Sequence, residues 1–98
     1  MAVAILAEVP GLTTEMYDAV TEAAGVRSDP PAGLIIHTCG PMDGGLRIFD
    51  VWETRADYDR FAEQRLRPAM GSVLERHGRS LADTPSAEIY DLHSFLGS

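Results

Sequence analysis

The sequence predicts an α+β fold, a four-stranded antiparallel sheet in βαββαβ order with its helices on one face. Three observations carry this. Apolar runs of strand length recur at residues 2–8, 33–40, 45–53 and 87–96. Stretches with the 3.6-residue apolar spacing of a helix separate the first run from the second and the third from the fourth. A turn signal, Pro41-Met42-Asp43-Gly44, joins the second run directly to the third.

The elements come in order along the chain. AVAILAE is a short apolar strand, ended by Val9-Pro10-Gly11. Thr13 or Thr14 then caps a helix with Glu15 in its first turn. Met16, Val20 and Ala23 fall at helical spacing, with Tyr17 and Ala24 on the adjoining stripe. Gly25 ends that helix, and VRSDPPAG is a loop because paired prolines and a glycine forbid regular structure. GLIIHTCG and GLRIFDVWE are the hairpin strands. Thr54 caps the second helix with Asp57 three residues on, a variant capping box, and Tyr58, Phe61 and Ala62 supply its apolar stripe. Pro68 is expected to break or kink this helix. Leu66, Met70, Val73, Leu74 and His77 share one side of the second helical segment, and Gly78 stops it. SLADTPS is a loop, and AEIYDLHSFL reads as the last strand.

Residues 1–98 are expected to form one domain, since a chain of this length has no room for a second core. Hydrophobic content of 45% and charged content of 23% are those of a soluble globular protein. No apolar run nears the roughly 20 residues of a membrane span, and MAVAILAEVP reads as a strand rather than a signal peptide. A net charge of −7 argues against nucleic acid or an anionic membrane as partner. The basic residues Arg60, Arg65 and Arg67 are interleaved with Asp59 and Glu63, as on a solvated helix face. The single cysteine, Cys39, excludes an internal disulfide and fits a reducing cytoplasm. There is no lysine and no asparagine, so Schiff-base chemistry and any asparagine-dependent step are excluded.

Strand alternation adds a further expectation. Leu46, Ile48, Asp50 and Trp52 lie on one face of the third run, and Phe49 and Val51 on the other. The second run puts Leu34 and Ile36 on one face and Ile35, His37 and Cys39 on the other. Both sheet faces are therefore apolar, while two helices cover only one. A homodimer with its sheets face to face resolves this.

A hairpin with two or four turn residues between Gly40 and Gly45 pairs positions whose numbers sum to an odd value. That register sets His37 and Cys39 on the same face as Asp50 and Trp52. Imidazole beside carboxylate makes an oriented base, and an indole is a flat wall for an aromatic molecule. Each residue also has a structural reading: Asp50 as half of an ion pair with an arginine, His37 as a satisfied core histidine, Cys39 as a small apolar side chain. His77, next to Gly78, suits the helix dipole. His93, in the last strand, is a further candidate base. The histidines lack metal-ligand spacing, and no P-loop, G-x-G-x-x-G or nucleophile elbow is present, so no metal or cofactor is implied.

FDVWETRADYDRFAEQRLRPAM resembles the strand-to-helix segment of the antibiotic biosynthesis monooxygenase-like proteins of the dimeric α/β-barrel superfamily. The shared pattern is an aromatic strand ending in Trp-Glu, a short cap, then a helix with an Ala-x-Tyr/Phe core. AVAILAEVPG, DVWET and DLHS extend the resemblance over nearly the whole chain, closest to small actinobacterial-type members. It implies a ferredoxin-like, dimeric α/β-barrel fold. It also implies a cofactor-free small-molecule enzyme, monooxygenase-, cyclase- or isomerase-like, acting on an apolar or aromatic substrate of polyketide type. The alternative is a non-catalytic ligand-binding or structural homodimer of the same fold. Oxygenases and haem-degrading members of the group use an asparagine, a tryptophan and a histidine. Trp52 matches the tryptophan; no asparagine exists, and Phe61 and Ala62 stand where the helical histidine would fall. The expected site is a pocket between sheet and helices, walled by Trp52, Tyr17, Phe61 and Met70. His37 or His93, oriented by Asp50, would move protons in it.

Overall fold

The computed structural model describes residues 1–96. β1 (Val3–Pro10), α1 (Thr14–Ala24), β2 (Leu34–Met42), β3 (Gly45–Trp52), α2 (Arg55–Phe61), α3 (Arg67–Arg76) and β4 (Glu88–Asp91) succeed one another. The sheet is four-stranded with order β2-β3-β1-β4, every neighbouring pair antiparallel. This is the ferredoxin-like α+β arrangement.

The helix ends reflect the chemistry of their caps. Thr13 Oγ1 accepts the Met16 N–H at 3.1 Å, and Thr54 Oγ1 accepts that of Asp57 at 3.1 Å. Gly25 closes α1 at φ 69°, a left-handed turn that a β-carbon would strain. α1 buries Met16, Val20 and Ala24. Ala23 is exposed, contrary to its expected place on the inner stripe, because the apolar face is centred on the Met16–Val20–Ala24 line.

Pro68 does not break the second helix. A π turn over Ala62–Leu66 joins α2 to α3, and the Arg67 N–H reaches back to the Ala62 carbonyl. Widening that turn before the proline lets the helix pass a residue with no N–H to donate. The last strand is also shorter than its apolar run suggested. It ends at Asp91; the Leu92 N–H still reaches the Ala2 carbonyl at 2.9 Å, and residues 93–96 run on outside the strand.

The hairpin turn is Asp43-Gly44, so His37 pairs with Asp50 and Cys39 with Ile48. Gly45 sits where a β-carbon would meet the Val9 carbonyl at 2.3 Å, so only glycine permits β1 and β3 to close there. The expected odd-sum register holds from Ile36 to Met42. A bulge between Leu34 and Ile36 then adds one residue to β2, and Leu34 pairs with Trp52. The bulge moves Leu34 onto the face of His37, not the opposite face that simple alternation predicts.

Two apolar clusters fill the space between sheet and helices. One joins Val9 and Leu46 to Leu12, Met16, Val20 and Ala24 of the α1 region and Ala69, Val73 and Leu74 of α3. The other gathers Val3, Ile5 and Trp52, with Tyr58 and Phe61 of α2 packed against them.

Candidate active site

A cavity of about 240 Å³ lies where the two clusters meet. Its walls are mainly apolar. Trp52, Tyr17, Phe61 and Met70 all line it, as do Leu34 and Ile48. The Trp52 indole is edge-on to Tyr58, with centroids 5.7 Å apart, and tilted against Phe61 at 5.4 Å. Phe61, one of the two residues standing where the resemblance leads one to expect a helical histidine, lines the cavity as an apolar wall.

The polar groups gather at one end. Asp50 is only 7% exposed and is the one charged residue buried among the described residues. Such a carboxylate needs partners, and it has two. His37 Nδ1 lies 2.6 Å from Oδ1, and the Trp52 indole N–H donates to Oδ2 at 3.2 Å. The expected alternative of an arginine partner is therefore replaced by histidine and tryptophan. On the other side of the imidazole, the Tyr17 hydroxyl is hydrogen-bonded to His37 Nε2. The phenol and imidazole planes are parallel within 3°, with ring centroids 6.0 Å apart.

This arrangement fixes the histidine tautomer. A carboxylate accepts, so Nδ1 carries the proton, and neutral His37 then offers Nε2 as acceptor to the Tyr17 O–H. The His37 pKa is raised above its ordinary value, chiefly by the hydrogen bond to Asp50; burial opposes this and the carboxylate charge adds to it. Burial first, with the negative charge of Asp50 adding to it, pushes the Tyr17 hydroxyl up, so it stays protonated at rest. Burial likewise raises Cys39, which packs against the first apolar cluster.

Sequence reasoning placed His37, Asp50 and Trp52 on one face, and the structure adds that they touch. It did not foresee that Tyr17 would be hydrogen-bonded to His37. That contact spans 20 residues between α1 and β2, and no spacing rule reaches it. His93 does not join the group. It lies exposed in the bend after β4, where the strand has already ended, and does not line the cavity. His77 is also outside; its Nδ1 lies 2.9 Å from the Val73 carbonyl at the end of α3. Among the described residues, no cluster of three or more His, Cys, Asp or Glu side chains is placed to hold a metal ion.

By sequence, the chain matches no family model and no curated protein. By structure its fold is shared with solved proteins. It is similar to a mutant of SnoaB, a cofactor-independent oxygenase from Streptomyces nogalater (TM-score 0.64, 14% identity, covering 99% of this chain and 98% of that one). It is also similar to Rv0793 from Mycobacterium tuberculosis (TM-score 0.66, 16% identity, 99% and 100% covered). A third is a monooxygenase from the gene ActVA-Orf6 of Streptomyces coelicolor, solved with the ligand nanaomycin D (TM-score 0.52, 21% identity, 99% and 91% covered). The fold is shared with antibiotic biosynthesis monooxygenase-type proteins of Chloroflexus aurantiacus and Nitrosomonas europaea. On this antibiotic biosynthesis monooxygenase-type frame, Trp52 ends the third strand beside a cavity. The polar end of that cavity is built from tyrosine, histidine and aspartate, in a chain with no asparagine at all.

Proposed function

We propose that the protein is a cofactor-free small-molecule enzyme whose substrate is a flat apolar or aromatic molecule of polyketide type. The observation that carries this reading is the hydrogen-bonded line Tyr17–His37–Asp50–Trp52 opening on an apolar cavity. A wall of apolar side chains holds the carbon skeleton, and a single polar end meets its reactive hydrogen. His37 is the base, and Asp50 orients it and stabilises the imidazolium formed when it takes a proton. The enolate or phenolate left behind is the species from which a cyclase, isomerase or oxygenase step proceeds. The oxygenase neighbours favour the last at the level of the fold.

The working unit in this reading is a homodimer formed through the sheet face turned away from the helices. Ile36, Val51, Ala4 and Tyr90 pair in turn across the four strands and make an apolar row there, with Ile36 49% and Tyr90 44% exposed. The free thiol of Cys39 suits a reducing cytoplasm.

The deciding experiment measures turnover of hydroxylated polycyclic aromatics with no added flavin, nicotinamide or metal. His37→Gln is expected to lower it by about 10²-fold or more. Unchanged turnover in that variant would remove His37 as the base, and no turnover in the wild type would leave a dimer that binds ligand without acting on it.

A further inference from the structure

The base is not open to the cavity. His37 Nδ1 faces Asp50, and its Nε2 faces the Tyr17 hydroxyl. The remaining polar groups of the cavity wall are similarly engaged. Both Asp50 oxygens have partners, the Trp52 N–H is donated to Asp50, and the Thr21 hydroxyl donates to the Asp18 carbonyl. The Asp50 oxygens keep further lone pairs but are held between imidazole and indole at 7% exposure. Tyr17 lines the cavity and, with its one proton given to Nε2, its oxygen keeps acceptor capacity next to the base.

We infer that Tyr17 is the catalytic residue that meets the substrate, passing protons between substrate and His37. The inference rests on the proton-transfer reading above and deepens it. The substrate C–H or O–H gives its proton to the Tyr17 oxygen as the Tyr17 proton moves to Nε2. The electron pair of the broken bond stays on the substrate as an enolate or phenolate. The imidazolium so formed is held by Asp50. Reversing both transfers returns a proton to substrate carbon or oxygen and restores the resting tautomer.

The same geometry restricts the substrate. The free atom at the polar end is an acceptor, so the ligand must bring a hydrogen-bond donor or an acidic C–H to it. Among the described residues no arginine lines the cavity, and the site offers no free N–H to a carboxylate or phosphate. The substrate class is therefore neutral phenols, enols and carbon acids.

The test uses β-tetralone, a neutral bicyclic ketone with acidic benzylic hydrogens. Exchange of those hydrogens in D2O is followed by NMR under nitrogen, and binding by quenching of the Trp52 fluorescence. Tyr17→Phe keeps the ring and is expected to bind β-tetralone within about threefold of wild type while exchange slows by about 10²-fold. His37→Gln is expected to slow exchange at least as much, and the double variant no further than His37→Gln alone, because the two act as one relay. If Tyr17→Phe exchanges like wild type while His37→Gln does not, the relay is overturned and His37 is a direct base. If neither variant slows exchange, or wild type binds the ketone without exchanging it, relay and proton-transfer reading fall together. A ligand-free measurement closes the remaining gap. Nitrogen-15 shifts of the neutral His37 ring must show the proton on Nδ1, and a proton on Nε2 would overturn the relay whatever the ketone does.

Discussion

His37 and Asp50 face each other directly across the β2–β3 ladder, with Nδ1 and Oδ1 2.6 Å apart. The pair couples the fold to pH through one group. His37 is held above its ordinary pKa of 6.5, by the Asp50 hydrogen bond first, against the pull of burial. A group raised on folding stabilises the fold fully below its unfolded pKa and loses that contribution as pH rises through its folded value. Asp50→Asn removes the carboxylate and leaves burial, so the His37 pKa is expected to drop below 6.5. The sign of its contribution then reverses, with stability rising as pH passes upward through the lowered value. NMR titration of His37, with urea unfolding at about pH 5.5 and about pH 8.5, checks both parts. An unchanged His37 pKa in Asp50→Asn would sink the account.

Trp52 is structural as well as a cavity wall. Its indole N–H is the donor to Asp50 Oδ2, and the side chain is fully buried. Trp52→Phe preserves an aromatic ring but leaves that oxygen without a partner at a site 7% exposed. The expected loss is about 1–3 kcal/mol for the unpaired oxygen, with lost packing added. Urea unfolding measures it. A loss below about 0.5 kcal/mol would mean that water replaces the indole donor at no cost.

Much of this architecture was legible in the chain, and for local reasons. Thr13, Thr54 and Gly25 carry their capping chemistry in their own side chains or backbone freedom, so each helix end can be read from a few residues. The parity of the hairpin comes from counting, which put His37 on the Asp50 face. What counting missed depends on contacts made elsewhere. The bulge at Leu34 alters a register that the turn alone would fix, and it adds Leu34 to the cavity wall. The π turn before Pro68 is a tertiary answer to a local break signal. Tyr17 reads as an apolar stripe residue, because the sequence does not show that its hydroxyl meets an imidazole 20 residues away. His93 sits in an apolar run, yet the strand ends at Asp91 and leaves it outside the sheet.

Arg65 ties the second helix to the end of the first. α1 has no basic residue in its last turn, and Arg65 takes that role from the π turn. Its Nε and Nη2 donate to the Ala24 carbonyl at 3.0 and 2.7 Å, and Nη2 also donates to the Asp29 carbonyl at 2.7 Å. Its guanidinium lies over Phe61 at 5.5 Å, so the same side chain backs a cavity wall. Arg65→Met keeps most of the stem and removes the donors. It is expected to cost about 1–3 kcal/mol and to raise hydrogen exchange selectively over residues 25–31. Uniform exchange along the chain would show that Arg65 serves global stability and not this junction.

The outer sheet face gives the last prediction. Ile36, Val51, Ala4 and Tyr90 line up across all four strands. Val51 and Ala4 are buried even in the single chain, while Ile36 and Tyr90 leave about half their surface in water. Past the next same-face pair, Leu6 and Phe49, Glu8 and Arg47 pair across β1 and β3 at 2.6 Å, a polar boundary to the apolar surface. An apolar centre with a polar rim is the anatomy of a protein interface. A charge placed in that centre would be desolvated on association with no partner to meet it. Ile36→Arg is therefore expected to convert a dimer into a folded monomer in sedimentation at micromolar concentration. Because Ile36 points away from the helices, its far-ultraviolet circular dichroism should match wild type. Glu8→Ala, at the rim, should shift the dimerisation constant by no more than about fivefold. A wild-type chain that sediments as a monomer, or an Ile36→Arg variant that still dimerises, would place any subunit contact on another surface.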